Sequence, residues 1–326
     1  MWLVGLIDLV GLAEKYVSAH RPRLREYNEK QKYRMVGKIA PVIRGAYSRA
    51  AIKYAKKINR SSVPRHVVLS FRANSKILDY MDGSELQRYA CKGVPTPDHA
   101  IFIKNKPIIL TFADSIGKFS ESIDKAFCNY IGQYLSYVDR HADNNFNVDE
   151  IVDPLPRVAL VPGIGLFGLG TSVQEADIVA DIAEANVDII SGAEAIGQYC
   201  PLNESNIFDV EFWLLERQKL APISRPLSGQ VVVITGGAGT IGREIAITFA
   251  EAGAAIVVLD IDQGKAIQIA SELSKQSVGL LCDVTNDESV KKAFEETLEV
   301  FGGVDILISN AGAAWQGRIG EVSDSD

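Results

Sequence analysis

A glycine-rich segment that directly follows a run of β-branched residues is the part of the chain best suited to chemistry. The run is Val231–Thr235, and Gly237, Gly239 and Gly242 follow it in the spacing GxGxxG. Between a strand and a helix, such glycines let the backbone turn tightly and approach a pyrophosphate, which sits at the helix N-terminus. The motif alone is weak, but strand, turn and helix are in register here. The pattern therefore favours a dinucleotide site over a flexible glycine turn.

An acidic residue ends the next β-branched run, where a nucleotide ribose would need it. Asp260 closes the run Ile256–Asp260. A carboxylate there can accept both ribose hydroxyls of NAD and would repel the 2′-phosphate of NADP, so we expect NAD as the cofactor. Capping of the helix that begins near Gln263 is the alternative role for Asp260, and we expect Asp262 to do the capping.

The same region resembles the short-chain dehydrogenase/reductase family. Its pattern TGxxxGxG falls on residues 235–242, with Thr240 where a glycine is usual, which is expected to crowd the turn slightly. Its Asp-Val pair near the adenine falls on Asp283 and Val284, and its NNAG stretch on Ser309–Gly312. The spacing and the resemblance together give these cofactor contacts: Gly236, Gly237, Gly239, Thr240, Ile241, Gly242, Asp260, Asp283, Val284, Asn310, Ala311 and Gly312.

Two of these motifs also have a purely structural interpretation. Thr285 and Glu288 form a capping-box pattern, so Asp283 can belong to the turn ahead of a helix, a role compatible with adenine contact. Asn310 can be a turn residue at the end of a strand. Only the family pattern favours its contact near the nicotinamide ribose.

The catalytic residues of that family are not found in the chain. The resemblance implies a serine and a Tyr-x-x-x-Lys pair downstream of Asn310, in which the lysine lowers the pKa of the tyrosine so that it can exchange a proton with the substrate hydroxyl. No tyrosine follows Tyr199. We therefore predict no catalytic residue in this chain, and we expect it to bind NAD weakly and to turn over no substrate.

The elements that must position the glycine segment alternate strictly between strand and helix. The short apolar runs, most of them rich in β-branched residues, are Val231–Thr235, Ile256–Asp260, Gly279–Cys282 and Asp305–Ser309. Helical segments separate them, which is typical of βαβ units and a parallel sheet. Two prolines in Ala221–Pro226 indicate a linker. We therefore predict an α/β chain in which residues 227–326 form the first part of a doubly wound Rossmann domain, behind a separate domain of residues 1–222.

Residues 1–222 are predicted to form a mixed α/β domain. The predicted elements are helices up to about Ala55, a strand at His66–Phe71, short helices at Ser75–Met81 and Ser84–Ala90, a hairpin of Ala100–Lys104 and Pro107–Phe112, a helix from Ile116 to Val138, a strand at Arg157–Val161, and a helix capped by Thr171 that runs to about Gln198. The glycine-rich run Pro162–Gly170 is either a tight packing turn or a phosphate cradle ahead of that helix.

This region resembles bifunctional class II aldolase/short-chain dehydrogenase proteins of the rhamnulose-1-phosphate aldolase/lactaldehyde dehydrogenase type. The matching segments are Gly93–His99, Pro156–Val158, Val161–Gly170, Ala193–Gly197 and Phe208–Trp213. The resemblance implies cleavage of a sugar 1-phosphate and oxidation of a lactaldehyde-like hydroxyaldehyde in the intact protein. It also implies that residues 1–20 are the tail helix of a preceding aldolase domain and that the chain is truncated at both ends.

The histidines argue against zinc chemistry in this domain. Class II aldolases hold Zn²⁺ with three histidines, two of them in an HxH-like pair. Here the histidines are isolated, and Pro162-Gly163 resembles a degenerate form of a ligand-bearing His-Gly turn. His99 is interpreted as a turn or surface residue, with a remnant ligand as the alternative. We predict no metal site and a zinc-free, aldolase-like scaffold, which disfavours a zinc lyase acting alone.

Composition narrows the class of protein further. A net charge of -7 argues against a nucleic-acid partner. No stretch approaches the ~20 apolar residues of a membrane span, and the N-terminus lacks the basic start of a signal peptide. Four scattered cysteines fit a reducing compartment. We expect a cytoplasmic oxidoreductase with a small-molecule substrate; a homo-oligomer is left open. A non-catalytic nucleotide-binding or scaffold module is the alternative.

Overall fold

A computed structural model describes residues 2–21, 29–58, 65–112, 115–142, 153–213, 225–274 and 276–312. The elements of the first half are α1 (Trp2–His20), α2 (Glu29–Lys57), β1 (Val68–Arg72), α3 (Ser75–Met81), α4 (Leu86–Ala90), α5 (Pro97–Ile103), β2 (Ile108–Ile109), α6 (Ile116–His141), β3 (Val158–Val161), β4 (Gly165–Gly170), α7 (Val173–Ile196) and α8 (Glu204–Glu211). The elements of the second half are β5 (Val231–Thr235), α9 (Thr240–Glu251), β6 (Ala255–Asp260), α10 (Gln263–Leu273), β7 (Ser277–Leu281), α11 (Asp287–Phe301) and β8 (Ile306–Ile308). Of the predicted linker, residues 221–224 lie outside the described ranges.

The first sheet is mixed and has helices on both faces. Its strand order is β1-β4-β3-β2, with β4 antiparallel to both neighbours and β2 parallel to β3. Alternate residues of each strand face opposite sides. Phe167 of β4 therefore packs in the core with α2 and α6, and Leu166 packs in the core with α3, α4, α5 and α7. The predicted mixed α/β class of this region is confirmed.

The predicted hairpin at Ala100–Lys104 is wrong, because these residues belong to the helix α5 and its end. Thr96 is the N-cap, Pro97 occupies the first turn, and the Lys104 N–H closes the helix on the carbonyl of Ala100 at 3.1 Å. Proline in the first helical turn has the right φ and loses no helical hydrogen bond. This start signal outweighs the β-branched residues that follow. Only Ile108 and Ile109 form a strand, which pairs parallel to β3.

The glycine-rich run is mostly a buried strand and holds no phosphate cradle. Its turn is confined to residues 161–164, where the Ile164 N–H donates to the Val161 carbonyl at 2.9 Å, and β4 then follows with all six residues buried. A Cβ on Gly168 would lie 2.4 Å from the Ala176 carbonyl oxygen. The glycines of β4 therefore allow α7 to pack closely on the sheet.

Ser172, and not the predicted Thr171, caps α7. Its hydroxyl accepts the Glu175 N–H at 3.1 Å. The Glu175 carboxylate reaches back to the N–H of Thr171 at 2.6 Å, so the helix start is satisfied from both sides.

The second sheet is parallel, with the strand order β7-β6-β5-β8. Numbered within this sheet, the order is 3-2-1-4, which is that of the first half of a Rossmann fold. Helices α9 and α10 cover one face, and α11 covers the other. The predicted partial Rossmann domain is confirmed. Within the described ranges, no helix has the length and apolarity that crossing a bilayer would require.

Candidate dinucleotide site

The glycine turn between β5 and α9 presents bare backbone at the start of a helix. Gly236 takes a φ of 60°, and the Gly237 N–H donates to the Leu259 carbonyl at 3.0 Å, which ties the turn to β6. Gly239 is the N-cap of α9, and a glycine has no side chain with which to cap the helix. The N–H groups of the first turn therefore remain available to an anion at the positive end of the helix dipole.

Close packing explains why the turn needs its glycines. A Cβ on Gly236 would lie 2.9 Å from the Cα of Ala311, and one on Gly242 would lie 2.4 Å from the Gly236 carbonyl oxygen. The third position of the motif therefore lets α9 pack against the turn. The outer side is open, because Gly239 and Thr240 are exposed and Ile241 has 70% of its surface exposed. Among the residues that the structure describes, no side chain covers the outer side of the turn.

Asp260, at the end of β6, points its carboxylate at this turn. One carboxylate oxygen accepts the Ala238 N–H at 3.0 Å, and the other accepts the Asp262 N–H at 3.0 Å. Asp262 itself caps α10 by accepting the Lys265 N–H at 3.1 Å, and this hydrogen bond is the main cause that lowers the pKa of its carboxyl. The capping role therefore belongs to Asp262, and Asp260 is held beside the glycines.

Asn310 and Thr235 link the carboxyl ends of β5 and β8, which border the crevice between these strands. The Asn310 side-chain amide donates to the carbonyls of Thr235 and Gly236, both at 3.1 Å. The Thr235 hydroxyl accepts the backbone N–H groups of Asn310 and Ala311, also at 3.1 Å each. Asn310 therefore has at least its structural role, since its amide fixes the turn. The anchoring role of Thr235 was not predicted, and the signal for it was a threonine at the end of a strand before the glycines.

Asp283 and Val284 follow β7 at the same edge of the sheet. The Asp283 carboxylate accepts the Thr285 hydroxyl at 2.7 Å and its N–H at 2.9 Å, and both hydrogen bonds lower the pKa of Asp283. The predicted capping box is wrong, because Asn286 caps α11 by accepting the N–H of Glu288 at 3.0 Å. Asp283 therefore shapes the turn, and Val284 is left 47% exposed.

The predicted contact residues lie at or just after the carboxyl ends of parallel strands and therefore share one edge of the sheet. Asp260 and Asn310 each contact the glycine turn directly. Gly312 is exposed, and a Cβ there would meet no atom within 4 Å. The strand order reverses between β5 and β8, and such a switch point is where open α/β sheets bind ligands. The arrangement can hold a diphosphate at the turn and a ribose at Asp260.

The described histidines take part in local contacts. His99 lies on α5 with its Nδ1 at 2.7 Å from the Thr96 hydroxyl, and burial lowers its pKa against the opposing charge of Asp98. His141 contacts Glu204 at 3.2 Å. Among the residues that the structure describes, no three His, Cys, Asp or Glu side chains lie together as a metal site would require.

Comparison with known proteins gives two family matches along the chain. Residues 34–220 match the model of the second domain of class II aldolases, and residues 230–326 match that of short chain dehydrogenases. The uncharacterized oxidoreductase YuxG of Bacillus subtilis is 28% identical over 335 residues, which cover 97% of this chain and 46% of that protein.

Other relatives match the second half alone. The (2S)-[(R)-hydroxy(phenyl)methyl]succinyl-CoA dehydrogenase subunit BbsD of Thauera aromatica is 35% identical over 31% of this chain and 42% of its own length. L-fucose dehydrogenase of Bos taurus is 41% identical over 26% of this chain and 31% of its own. A 3-ketoacyl-(acyl-carrier-protein) reductase from Brucella melitensis, solved with NADH, has a TM-score of 0.29 and 33% identity over 30% of this chain and 40% of that chain. This chain spans less than half the length of these curated relatives.

Proposed function

Because this chain belongs to the family of class II aldolase second domains and continues into a short-chain dehydrogenase domain, we propose that it binds NAD(H) at the carboxyl edge of its second sheet. The observation that carries the proposal is the Asp260 carboxylate, which is held by the Ala238 N–H at 3.0 Å beside an open glycine turn. The turn is where a diphosphate would bind, and the carboxylate is where the adenosine ribose would bind.

Each group at this edge has a defined part in binding. The uncapped first turn of α9 supplies N–H donors to the diphosphate, and Thr240 and Ile241 border that surface. The Asp260 carboxylate accepts ribose hydroxyls. Thr235 and Asn310 keep the crevice between β5 and β8 open at a fixed width, where the nicotinamide half would lie. The bound nicotinamide supplies hydride chemistry, and these residues orient it.

The charges near the turn favour NAD(H) over NADP(H). Asp260 places a negative charge where the 2′-phosphate of NADP would lie. Arg243, in the first turn of α9, is engaged by Glu244 at 3.1 Å and by Glu272 at 3.4 Å. A guanidinium that is shared between two carboxylates is a poor partner for an additional phosphate, because those carboxylates already offset its charge.

The substrate is proposed for a protein of the full length of the curated relatives, of which this chain spans less than half. We propose a small-molecule hydroxyaldehyde of the lactaldehyde type, in a protein that also acts on sugar 1-phosphates through its aldolase part. The order of the two matched domains and the relative named L-fucose dehydrogenase support a sugar-derived substrate class. The division at residues 222 and 227, the role of residues 1–20 as a tail helix, a cytoplasmic location and a homo-oligomeric state are parts of the same proposal.

For these 326 residues the proposal is restricted to binding and orientation, because no tyrosine follows Tyr199 to exchange a proton with a substrate. A non-catalytic nucleotide-binding module remains the second candidate, since it too would bind dinucleotide. Titration of the purified chain with NADH and NADPH, followed by nicotinamide fluorescence and calorimetry, tests the site itself. We expect NADH to bind more tightly. A folded chain that binds neither dinucleotide would refute the proposal.

A further inference from the structure

The side chain of Arg44, on α2 of the aldolase-like domain, reaches into the base of the second sheet. Its Nε donates to the Val67 carbonyl at 2.5 Å, just ahead of β1. Its Nη2 donates to the Gly229 carbonyl at 3.1 Å and to the Asp305 carboxylate at 2.6 Å. Only 8% of Arg44 is exposed. One buried guanidinium thus joins the first domain to two segments of the second.

Asp305 is the residue through which this contact reaches the dinucleotide domain. The carboxylate oxygen that accepts from Arg44 also accepts the Val231 N–H at 2.7 Å, and the other oxygen lies 3.1 Å from the Nδ1 of His66. Val231 is the first residue of β5, and Asp305 directly precedes β8. The carboxylate therefore holds together the starts of the two strands that border the crevice.

The two domains approach too closely here for side chains. A Cβ on Gly229 would lie 2.2 Å from the His66 carbonyl oxygen, and one on Gly303 would lie 2.1 Å from the Nη1 of Arg44. A Cβ on Gly302, which ends α11 with a φ of 79°, would lie 3.0 Å from the side chain of Leu69 in β1. Val68 is also part of the core formed by β5, β6 and α11. The first domain is therefore packed directly onto the second.

We propose that Arg44 is a positioning residue for the dinucleotide site, so that the aldolase-like domain sets the geometry of the dehydrogenase crevice. This inference rests on the proposed function. Strands β5 and β8 pair at Val232–Ile306 and Ile234–Ile308. Arg44 and Asp305 set their spacing at one end, and Thr235 and Asn310 set it at the other, about 13 Å away at ~3.3 Å per residue. Without Arg44, the amino-terminal ends of β5 and β8 can shift relative to each other. Such a shift also moves the carboxyl-terminal ends of the two strands, which carry the groups that contact the cofactor.

The direct test compares Arg44→Met with Arg49→Met in the 326-residue chain. Arg49 lies on the same helix, pairs with Asp124 inside the first domain at 2.7 Å, and has a half-exposed side chain, so it is the matched control. We expect Arg44→Met to weaken NADH binding about three- to thirtyfold, Arg44→Lys to recover part of the loss, and Arg49→Met to change nothing. If the unaltered chain and Arg44→Met bind NADH equally well, Arg44 does not position the site. If the unaltered chain does not bind NADH at all, the proposed function is wrong.

A disulfide between the two domains distinguishes two roles of Arg44, which are to position the crevice and to hold the domains together. It also allows NADH binding to be measured in a variant whose domains would otherwise separate. A Cβ on Gly37 of α2 would lie 3.7 Å from the Cβ of Leu298 on α11, within the ~3.5–4.5 Å range of a disulfide. We expect the pair Gly37→Cys and Leu298→Cys to oxidise readily and to keep NADH affinity within about twofold of the reduced form. The control is Gly117→Cys with Leu298→Cys, because a Cβ on Gly117 meets no atom within 4 Å.

The decisive variant adds Arg44→Met to the oxidised cross-link. With docking held by the disulfide, we expect the affinity for NADH to stay reduced, because the starts of β5 and β8 still lack their shared cation. Full recovery of affinity would show that Arg44 only docks the domains and would overturn the proposal. A cross-link that forms but abolishes NADH binding in the otherwise unaltered chain would overturn it too, since the docked arrangement would then be the inactive one.

Discussion

Replacing Asp260 by asparagine should exchange one dinucleotide preference for another. The carboxylate accepts two backbone N–H groups, from Ala238 and Asp262, each at 3.0 Å. Asparagine keeps the shape but has one oxygen acceptor and no charge. Hydrogen bonds to a charged group contribute about 1.5–3 kcal/mol each. Loss of the charge-assisted bonds to a ribose diol, partly replaced by the amide, should therefore cost about 2 kcal/mol, or roughly a thirtyfold weaker affinity for NADH.

The same change should favour NADPH, because it removes a repulsion. Two like charges about 5 Å apart at an effective dielectric constant of ~20 repel by about 3 kcal/mol. Exposure at the open turn should reduce this by half or more, which leaves roughly a tenfold gain for NADPH. The ratio of the two dissociation constants should therefore shift by about a hundredfold or more. Parallel titrations with NADH and NADPH by fluorescence and calorimetry measure it.

Asp262→Asn is the matched control for this experiment. Asp262 lies two residues further on, caps α10 and pairs with Lys265 at 3.0 Å, and asparagine caps helices equally well. Its affinity for both dinucleotides should stay within about twofold of the unaltered chain. If Asp260→Asn leaves the ratio between NADH and NADPH unchanged in a folded protein, the carboxylate does not contact the ribose, and the preference for NAD is wrong.

Three further changes test other parts of the structure. Gly242→Ala should abolish NADH binding and lower the melting temperature, because its Cβ would lie 2.4 Å from a carbonyl oxygen of the turn. The control Gly264→Ala should do neither, because its Cβ would lie 3.5 Å from its nearest neighbour. Asn310→Ser removes two hydrogen bonds of 3.1 Å and should lower the free energy of unfolding by about 1–3 kcal/mol in urea titrations; an unchanged midpoint would contradict this role. Burial would raise the pKa of Asp153, but Lys104 and two neighbouring arginines outweigh it and hold that pKa well below its usual range. Because this pKa is lower in the folded state, the carboxylate stabilises the fold above about pH 4, and that contribution is lost as the pH falls further. In urea titrations at pH 5, 4 and 3, the free energy of unfolding of Asp153→Asn should therefore depend less on pH than that of the unaltered chain.

The second half of the chain was predictable from sequence because its signals are local. Each strand of its sheet is a short apolar run, each connection contains a helix, and the glycine spacing is tied to one strand and one helix. In a parallel sheet this order places Asp260 next to the glycine turn without further information. The predicted cap at Asp262 is confirmed, but Asn286, and not Thr285, caps α11, because several acceptors compete within a few positions there.

The first half was predicted less well, for physical reasons. In α5, a Pro-Asp helix start competes with the β-branched sequence Ala100–Ile103, and the start prevails because the helix buries Ala100 and Ile103 against other helices. In β4, the glycines serve contact with α7, which a window of a few residues cannot show. Arg44 has no local signal at all, because its partner Asp305 is 261 positions away in the chain. Long-range contacts of this kind are set by the assembled fold.

That same separation has a consequence for the order in which the nascent polypeptide can mature on the ribosome. The aldolase-like half ends near residue 222, and Asp305 lies 83 positions further on. At an elongation rate of roughly 5–20 residues per second, that half is complete for about 4–17 s before the ionic partner of Arg44 has been synthesised. During this interval the outer edge of β1 and the face of α2 that will meet α11 are open to solvent or to chaperones. Final consolidation of the first domain is therefore a late event that awaits translation of the second.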